Sequence, residues 1–296
     1  MKRILVTGAN SYIGTSFRSY IRGFGPGYQA DGLSLRDEGW READFSGYDA
    51  LLHTVGLAHV DRGRVRERDR ERYEYINVEL AVAAAEKAKA AGVGQFIYLS
   101  SAIVYGDSGP VGGEKRITRA TPVSPSNCYG ASKVRGEEAL RRLETATFGV
   151  AILRLPMVYG PGSRGNYPLL AKLCARTPVF PAVENRRSML YIENLCEFLR
   201  LAVEHGERGT FWPQNAAYVC TSDMASAIAA AHGRRLRLVG GLTPALRAAG
   251  HVTGLVNRVF GSLTYDRSLS AYREDYQVCS FAESIRRSEG GRGRTL

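Results

Sequence analysis

Arg3-Ile4-Leu5-Val6-Thr7-Gly8-Ala9-Asn10-Ser11-Tyr12-Ile13-Gly14 decides the fold, because it joins an apolar run to a helical stretch through a glycine turn. Arg3 to Thr7 reads as a first strand. From about Tyr12 to Phe24 the pattern is helical, and Gly25-Pro26-Gly27 ends it, since neither residue type sustains a helix. Between a strand and a helix, glycine permits a tight turn and close approach of a ligand. The helix start offers unpaired amides and a positive dipole end to a phosphate. The same glycines also serve an ordinary turn, so the motif gains its weight from the rest of the chain.

Outward from this stretch, short apolar runs alternate with helical ones. Leu33 to Leu35 closes a second strand, Ala50 to Thr54 forms another, and Gln95 to Ser100 and Val150 to Arg154 follow. A helix over Tyr75 to Ala91 stops at Gly92, and a further one begins near Tyr129. The alternation predicts an α/β protein with a Rossmann-like, doubly wound parallel sheet. Beyond Gly160 the pattern changes to Pro/Gly breaks, with helices near Glu193 to Glu204 and Thr221 to Ala231. The expected organisation is a dinucleotide-binding domain over 1–160, a smaller C-terminal substrate-binding region over 161–288, interleaved with the first, and a flexible tail over 289–296.

The 296 residues are 44% hydrophobic and 23% charged, an ordinary globular balance. No apolar run approaches the roughly 20 residues of a membrane helix, so no membrane span is expected. Met1 to Val6 runs straight into the glycine turn and reads as a strand, so a cytoplasmic location is expected. The five cysteines, Cys128, Cys174, Cys196, Cys220 and Cys279, are scattered and odd in number, which predicts reduced thiols and no metal site. The formal charge of +11 suits an anionic partner. The densest basic run, Arg62 to Arg72, is interleaved with Glu67, Asp69 and Glu71 and has no aromatic for base stacking. It reads as a solvated face. No nucleic-acid partner is expected, whereas a diphosphate substrate gains from the same field.

Tyr129-Gly130-Ala131-Ser132-Lys133 places a phenol and an amine on one helix face. A phenol is a poor base near neutrality, but an adjacent ammonium favours its anion. The spacing alone is common. Upstream, Tyr98-Leu99-Ser100-Ser101-Ala102-Ile103-Val104-Tyr105-Gly106 stands at the end of an expected buried strand. Downstream come Leu153-Arg154-Leu155-Pro156-Met157-Val158-Tyr159-Gly160 and Arg187-Ser188-Met189-Leu190-Tyr191-Ile192-Glu193-Asn194.

In this order and over nearly the whole chain, these segments resemble the extended short-chain dehydrogenase/reductase family, of the NAD-dependent epimerase/dehydratase type. Its glycine turn is Thr-Gly-x-x-Gly-x-x-Gly; Gly8 and Gly14 match and Ser11 replaces the middle glycine, where a Cβ is expected to crowd the pyrophosphate or strain the backbone. The resemblance implies catalysis by Ser101, Tyr129 and Lys133, with Lys133 tuning Tyr129 and holding ribose hydroxyls. It implies cofactor contacts from Gly8, Asn10, Ser11, Tyr12, Ile13 and Gly14, from Asp44 and Phe45 beside the adenine, and from Val55 and Gly56 after the next strand. Asn77, Ser100, Tyr129, Lys133 and Pro156 complete this set. The implied cofactor is NAD, with NADP as the alternative: Ser34 and Arg36 suit a 2′-phosphate, whereas Asp31 or Asp37 suits NAD. His53 reads as structural.

Substrate contacts are implied for Tyr105, Asn166 and Arg187, with Arg187 anchoring the diphosphate of a nucleotide sugar, expected to be UDP-linked. Related 4,6-dehydratases carry an acid/base Asp-Glu pair after the catalytic hydroxyl residue; Ala102 and Ile103 stand here and transfer no proton. Arg187 and the Ser-Ser-x-x-Val-Tyr-Gly segment favour a 4-epimerase working through a transient 4-keto sugar. A 4-ketosugar reductase is the alternative, and a non-catalytic NAD(P)-binding regulator the third reading. A homodimer is expected, through the helices that start near Tyr75 and Tyr129.

Overall fold

A computed structural model describes residues 1–58 and 66–290. Arg62 to Val65 of the basic run therefore lie outside the described residues. The chain divides into two compact units. The first comprises Met1–Gly106, Pro122–Leu155 and Leu195–Pro213; the second comprises Asp107–Thr121, Pro156–Asn194 and the chain from Gln214 onward. A single boundary at residue 160 misses two exchanges, because which segments pack together is set by long-range contacts that local pattern does not encode.

The first unit is built on six parallel strands, β1 (Lys2–Thr7), β2 (Tyr28–Leu33), β3 (Ala50–His53), β4 (Gln95–Ser101), β5 (Gly149–Leu155) and β6 (Gly209–Phe211). Their order is β6-β5-β4-β3-β1-β2. The direction of winding reverses between β1 and β3, which is where an open parallel sheet leaves a crevice at its carboxyl edge. Among the described residues no strand takes the outermost place of the commoner order 3-2-1-4-5-6. After β2 the chain makes only a 3₁₀ turn, Glu38–Arg41, before entering β3, so β2 is an edge strand. It begins directly after the Gly25-Pro26-Gly27 turn and ends at Leu33, two residues before the expected end.

Helices α1 (Tyr12–Ile21), α2 (Glu67–Glu74), α3 (Leu80–Ala90), α4 (Cys128–Arg141) and α5 (Ile192–Glu204) accompany this sheet. Central strands buried on both faces read as continuous apolar runs, and β3 and β5 are buried along their whole length. The helix expected from Tyr75 starts at Glu67, because the Arg/Glu alternation is compatible with helix and Tyr73 is fully buried. Between α2 and α3, Tyr75–Glu79 widens into a π turn, with Leu80 N donating to Tyr75 O. Such single π turns recur at functional positions.

In the second unit, short parallel ladders pair Met157–Tyr159 with Met189–Tyr191, Val179–Pro181 with Arg237–Val239, and Arg116–Ile117 with Thr264–Tyr265. The helix Phe281–Gly290 includes Glu289, which is 3% exposed. Its carboxylate accepts from the Tyr167 hydroxyl at 2.8 Å and meets His232 Nε2 at 2.8 Å. The expected flexible tail thus starts too early at 289; residues 291–296 lie outside the described residues.

Helix α4 approaches β4 and the π turn closely through glycine. A Cβ at Gly136 would stand 2.6 Å from the Tyr98 hydroxyl and 2.7 Å from Asn77 O. Gly136→Ala should therefore cost about 1–3 kcal/mol through overpacking, read as a lower thermal midpoint; an unchanged midpoint would contradict the close approach.

Candidate active site

The glycine turn is pinned to the end of β2 by Gly8 N and Ala9 N, which donate to Leu33 O at 2.9 and 3.2 Å. Gly8 has φ +82°, and a Cβ there would meet Thr54 Oγ1 at 2.7 Å. One at Gly14 would meet Gly8 O at 2.7 Å. Ser11 corrects the expectation of strain: its φ of −72° and ψ of 155° are ordinary extended backbone. It is the N-cap of α1, its Oγ accepting from Gly14 N at 2.9 Å and meeting Thr54 Oγ1 at 2.7 Å. Because Thr54 Oγ1 donates to Thr7 O at 2.7 Å, the Ser11 hydroxyl is left to donate to Thr54. The lost glycine is replaced by a lock between turn and β3. The amides of Tyr12 and Ile13 have no partner within the helix, so this turn fits a pyrophosphate. The Tyr12 hydroxyl is buried without a hydrogen-bond partner.

At the carboxyl ends of β3 and β4 a second group assembles. Asn127 caps α4 by accepting from Gly130 N at 2.8 Å, which starts the helix at Cys128 and puts Tyr129 in its first turn. Tyr129 and Ser101 share a hydrogen bond, and the Tyr73 ring lies 6.0 Å away. Burial outweighs the Ser101 contact and pushes the Tyr129 phenol up to about 12. One turn on, Lys133 is 3% exposed. Its Nζ donates to Leu99 O at 2.9 Å and to the Tyr98 hydroxyl at 3.3 Å, 4.5 Å from the Tyr98 ring centroid. Burial pushes the amine down to about 7, against the upward pull of Glu137. The Lys133 amine turns toward β4, and the influences on the Tyr129 phenol are burial, Ser101 and Tyr73.

Asn77, in the π turn, holds the neighbouring backbone. Its Oδ1 accepts from Leu57 N at 2.8 Å, and its Nδ2 donates to Leu57 O and to Ser132 Oγ. The Tyr98 hydroxyl donates to Asn77 O at 2.8 Å. Gly56 passes so close that a Cβ would stand 3.2 Å from Lys133 Nζ, and Val55 packs against Gly8. Tyr98 and Gly136 are the positioning residues that pattern reading passes over. Their signal is faint: a small residue three positions after the lysine, and a tyrosine inside a buried strand.

Below Lys133 lies a buried ion pair. Glu137 Oε1 accepts from Ser100 Oγ at 2.5 Å, and its carboxylate takes a bidentate contact from Arg154, with Nη2 to Oε2 at 2.6 Å. Arg154 Nη1 donates to the Tyr105 hydroxyl at 2.6 Å, which also accepts from Trp212 Nε1 at 2.8 Å. Tyr105 is 4% exposed and belongs to this cluster, which corrects its expected placement as a substrate contact. Ser100 donates its hydroxyl proton to Glu137. His53 is fully buried, bonded through Nδ1 to Thr7 Oγ1, and burial pushes it down to about 3; it is structural. Phe45 is 1% exposed in the core, and both Asp44 oxygens accept from Ser46, which holds that carboxyl below its usual range.

Pro156, Asn166 and Arg187 belong to the second unit. Pro156 is buried, and Asn166 is exposed at the start of the helix Asn166–Cys174. Arg187 Nη1 donates to Gly261 O at 3.0 Å and Val259 O at 3.4 Å, and no carboxylate pairs with it among the described residues. Burial pushes it down to about 10. It remains cationic at neutral pH with its charge uncompensated, a state that suits an anion.

A family model described as "NAD dependent epimerase/dehydratase family" matches residues 4–212. A UDP-glucose 4-epimerase of Vibrio cholerae is 29% identical over 147 residues, 48% of this chain and 44% of that protein. The chain spans 34% and 44% of the lengths of the first two curated relatives it matches. Among solved structures, a dTDP-4-dehydrorhamnose reductase from Bacillus anthracis in complex with NADP superposes with a TM-score of 0.73 at 18% identity, covering 98% of this chain and 99% of that one. A UDP-glucuronic acid 4-epimerase from Bacillus cereus in complex with NAD gives 0.72 at 17%, covering 97% of each. At these identities the likeness shows the fold.

Lys133 gives the site a pH signature. Folded, its amine titrates near 7, against an ordinary value of 10.5. Below the lower value both folded and unfolded chains hold the proton and the burial penalty is felt in full. Between the two, the unfolded chain binds the extra proton, so stability rises with pH. In nucleotide-free protein, the denaturant midpoint should rise relative to Lys133→Met between about pH 7.5 and 9.5. Parallel curves would contradict a buried, depressed amine.

Proposed function

Because the chain belongs to the NAD dependent epimerase/dehydratase family, we propose that it is an NAD(P)H-dependent reductase of a nucleotide-linked 4-keto sugar. The observation that carries this reading is the hydrogen bond between Ser101 and Tyr129 at the end of β4, with Ala102 and Ile103 following. A hydroxyl pair without a neighbouring acid and base handles one carbonyl and its proton, and not an elimination across two carbons.

A reduced dinucleotide, held by the glycine turn and by Lys133, would supply hydride at the carbonyl carbon. Ser101 hydrogen-bonds the ketone oxygen and orients it toward Tyr129, and Tyr129 gives its proton to that oxygen as negative charge develops. Lys133, fixed by Leu99 O and Tyr98 beside Gly56, presents its amine to the ribose hydroxyls of the dinucleotide. Arg187 anchors the substrate diphosphate, which is UDP- or dTDP-linked. Its own partners are two carbonyls, so the anion completes its charge balance.

The second reading, a 4-epimerase, keeps the support of Arg187 and of the Vibrio cholerae relative. Tyr129→Phe should lower kcat by about 10²–10⁴-fold while leaving dinucleotide Kd unchanged; undiminished turnover would remove the mechanism. With a UDP-linked 4-keto sugar, the parent should consume NADPH or NADH stoichiometrically. Interconversion of UDP-hexoses with no net use of either would instead establish the epimerase.

A further inference from the structure

The end of β2 carries a cationic arrangement that the hydride-transfer chemistry does not use. Gly32 faces the guanidinium of Arg18: a Cβ there would lie 2.5 Å from Nη1 and 2.7 Å from Cζ, and 2.9 Å from the Ala9 Cβ. The arginine thus lies across a bare patch of β2, beside the glycine turn. Its Nε is buried without a hydrogen-bond partner, and no carboxylate pairs with it among the described residues. Burying a charged donor unsatisfied is costly unless a ligand completes it.

Ser34 follows two residues after Gly32, and alternation along an extended chain puts the two on one face. Its Oγ accepts from Arg36 N at 3.3 Å, which leaves the hydroxyl proton available to a ligand. Arg36 is exposed and its side chain has no ion-pair partner among the described residues.

In a dinucleotide fold, the residue just past β2 reads the adenosine ribose: a carboxylate accepts from its hydroxyls, whereas arginine accommodates a 2′-phosphate. Each acid in this stretch is committed elsewhere. Asp31 accepts from the Tyr48 hydroxyl at 3.0 Å and Gln29 Nε2 at 2.9 Å, and it alternates to the face opposite Gly32. Asp37 caps Gly39 N at 3.1 Å, and Glu38 pairs with Arg41. Ser34 itself stands at the first position past the strand, directly after the residue that holds the glycine turn.

We propose that Arg18, Ser34 and Arg36 form a site for the ribose 2′-phosphate, so that this chain selects NADP(H) over NAD(H). A phosphate monoester near neutral pH carries close to two negative charges, and two guanidinium groups with a hydroxyl donor match it. The inference rests on the dinucleotide reading above and adds selectivity to it.

The test is equilibrium binding to the full chain, by titration calorimetry with NADPH, NADH and the probe 2′,5′-ADP. NADPH should bind at least about ten-fold tighter than NADH, a typical size for a charge-assisted contact. 2′,5′-ADP should compete where 5′-AMP does not. Arg36→Ala, at an exposed position, and Arg18→Ala should each weaken NADPH and 2′,5′-ADP several-fold and leave NADH within two-fold (about a few tenths of the ten-fold unit). Ser34→Asp should reverse the preference. Equal or tighter NADH binding by the parent, or equal loss of both dinucleotides in Arg36→Ala, would overturn the selectivity and leave the reductase reading standing. Binding of neither dinucleotide would remove both.

Discussion

Helix α4 buries an amine and a carboxylate, Lys133 and Glu137, against the middle of a parallel sheet, and the surrounding structure follows from the cost of doing so. Taking charges out of water costs several kcal/mol per ion unless geometry and hydrogen bonds compensate. Glu137 is compensated by Arg154, Ser100 and Arg141. Among the described residues Lys133 has a carbonyl, a phenol and the more distant Glu137, and its amine is depressed by burial. Gly136 and the π turn serve this arrangement together, since they let the Tyr98 hydroxyl reach Asn77 O while also accepting from Lys133. The catalytic helix is therefore located by polar contacts beneath it as much as by apolar packing. Tyr129, at its first turn, inherits that position.

On the other side of β1, the same logic of local satisfaction explains the Ser11 replacement. A serine in place of the middle glycine costs nothing in backbone conformation, because the position is extended. Its hydroxyl consumes one helix-start amide and in exchange ties the turn to Thr54 on the β3 side. The turn is thus pinned by β2 through Leu33 O and by β3 through Thr54.

What was legible in the sequence is what is encoded locally. The β1 run, the glycine turn and α1 lie contiguous, so class and strand sequence follow from the chain alone, and the Tyr129/Lys133 spacing puts both side chains on one face of any helix. Tyr105 was misplaced because its role depends on Arg154 and Trp212, 49 and 107 residues away. Asp31 accepts from Tyr48, 17 residues away, a contact that local pattern does not encode, and Asp37 accepts from Gly39 N. The π turn has no compositional mark in Tyr75–Glu79, and the return of residues 195–213 to the first unit is a matter of which sheet edge β6 joins. Glu289 looked like the start of a Gly/Arg-rich tail, yet Tyr167 and His232 anchor it.

The central claim is that Tyr129 and Ser101 serve a one-way hydride transfer to a sugar carbonyl. Its most direct test is isotopic. The full chain is given NADPH deuterated at the transferred position together with a UDP-linked 4-keto sugar, and the product is read by mass spectrometry and proton NMR. One deuterium at the former carbonyl carbon, with one equivalent of oxidised dinucleotide, is the predicted result. A turned-over sugar carrying no deuterium from the added reductant would contradict the account.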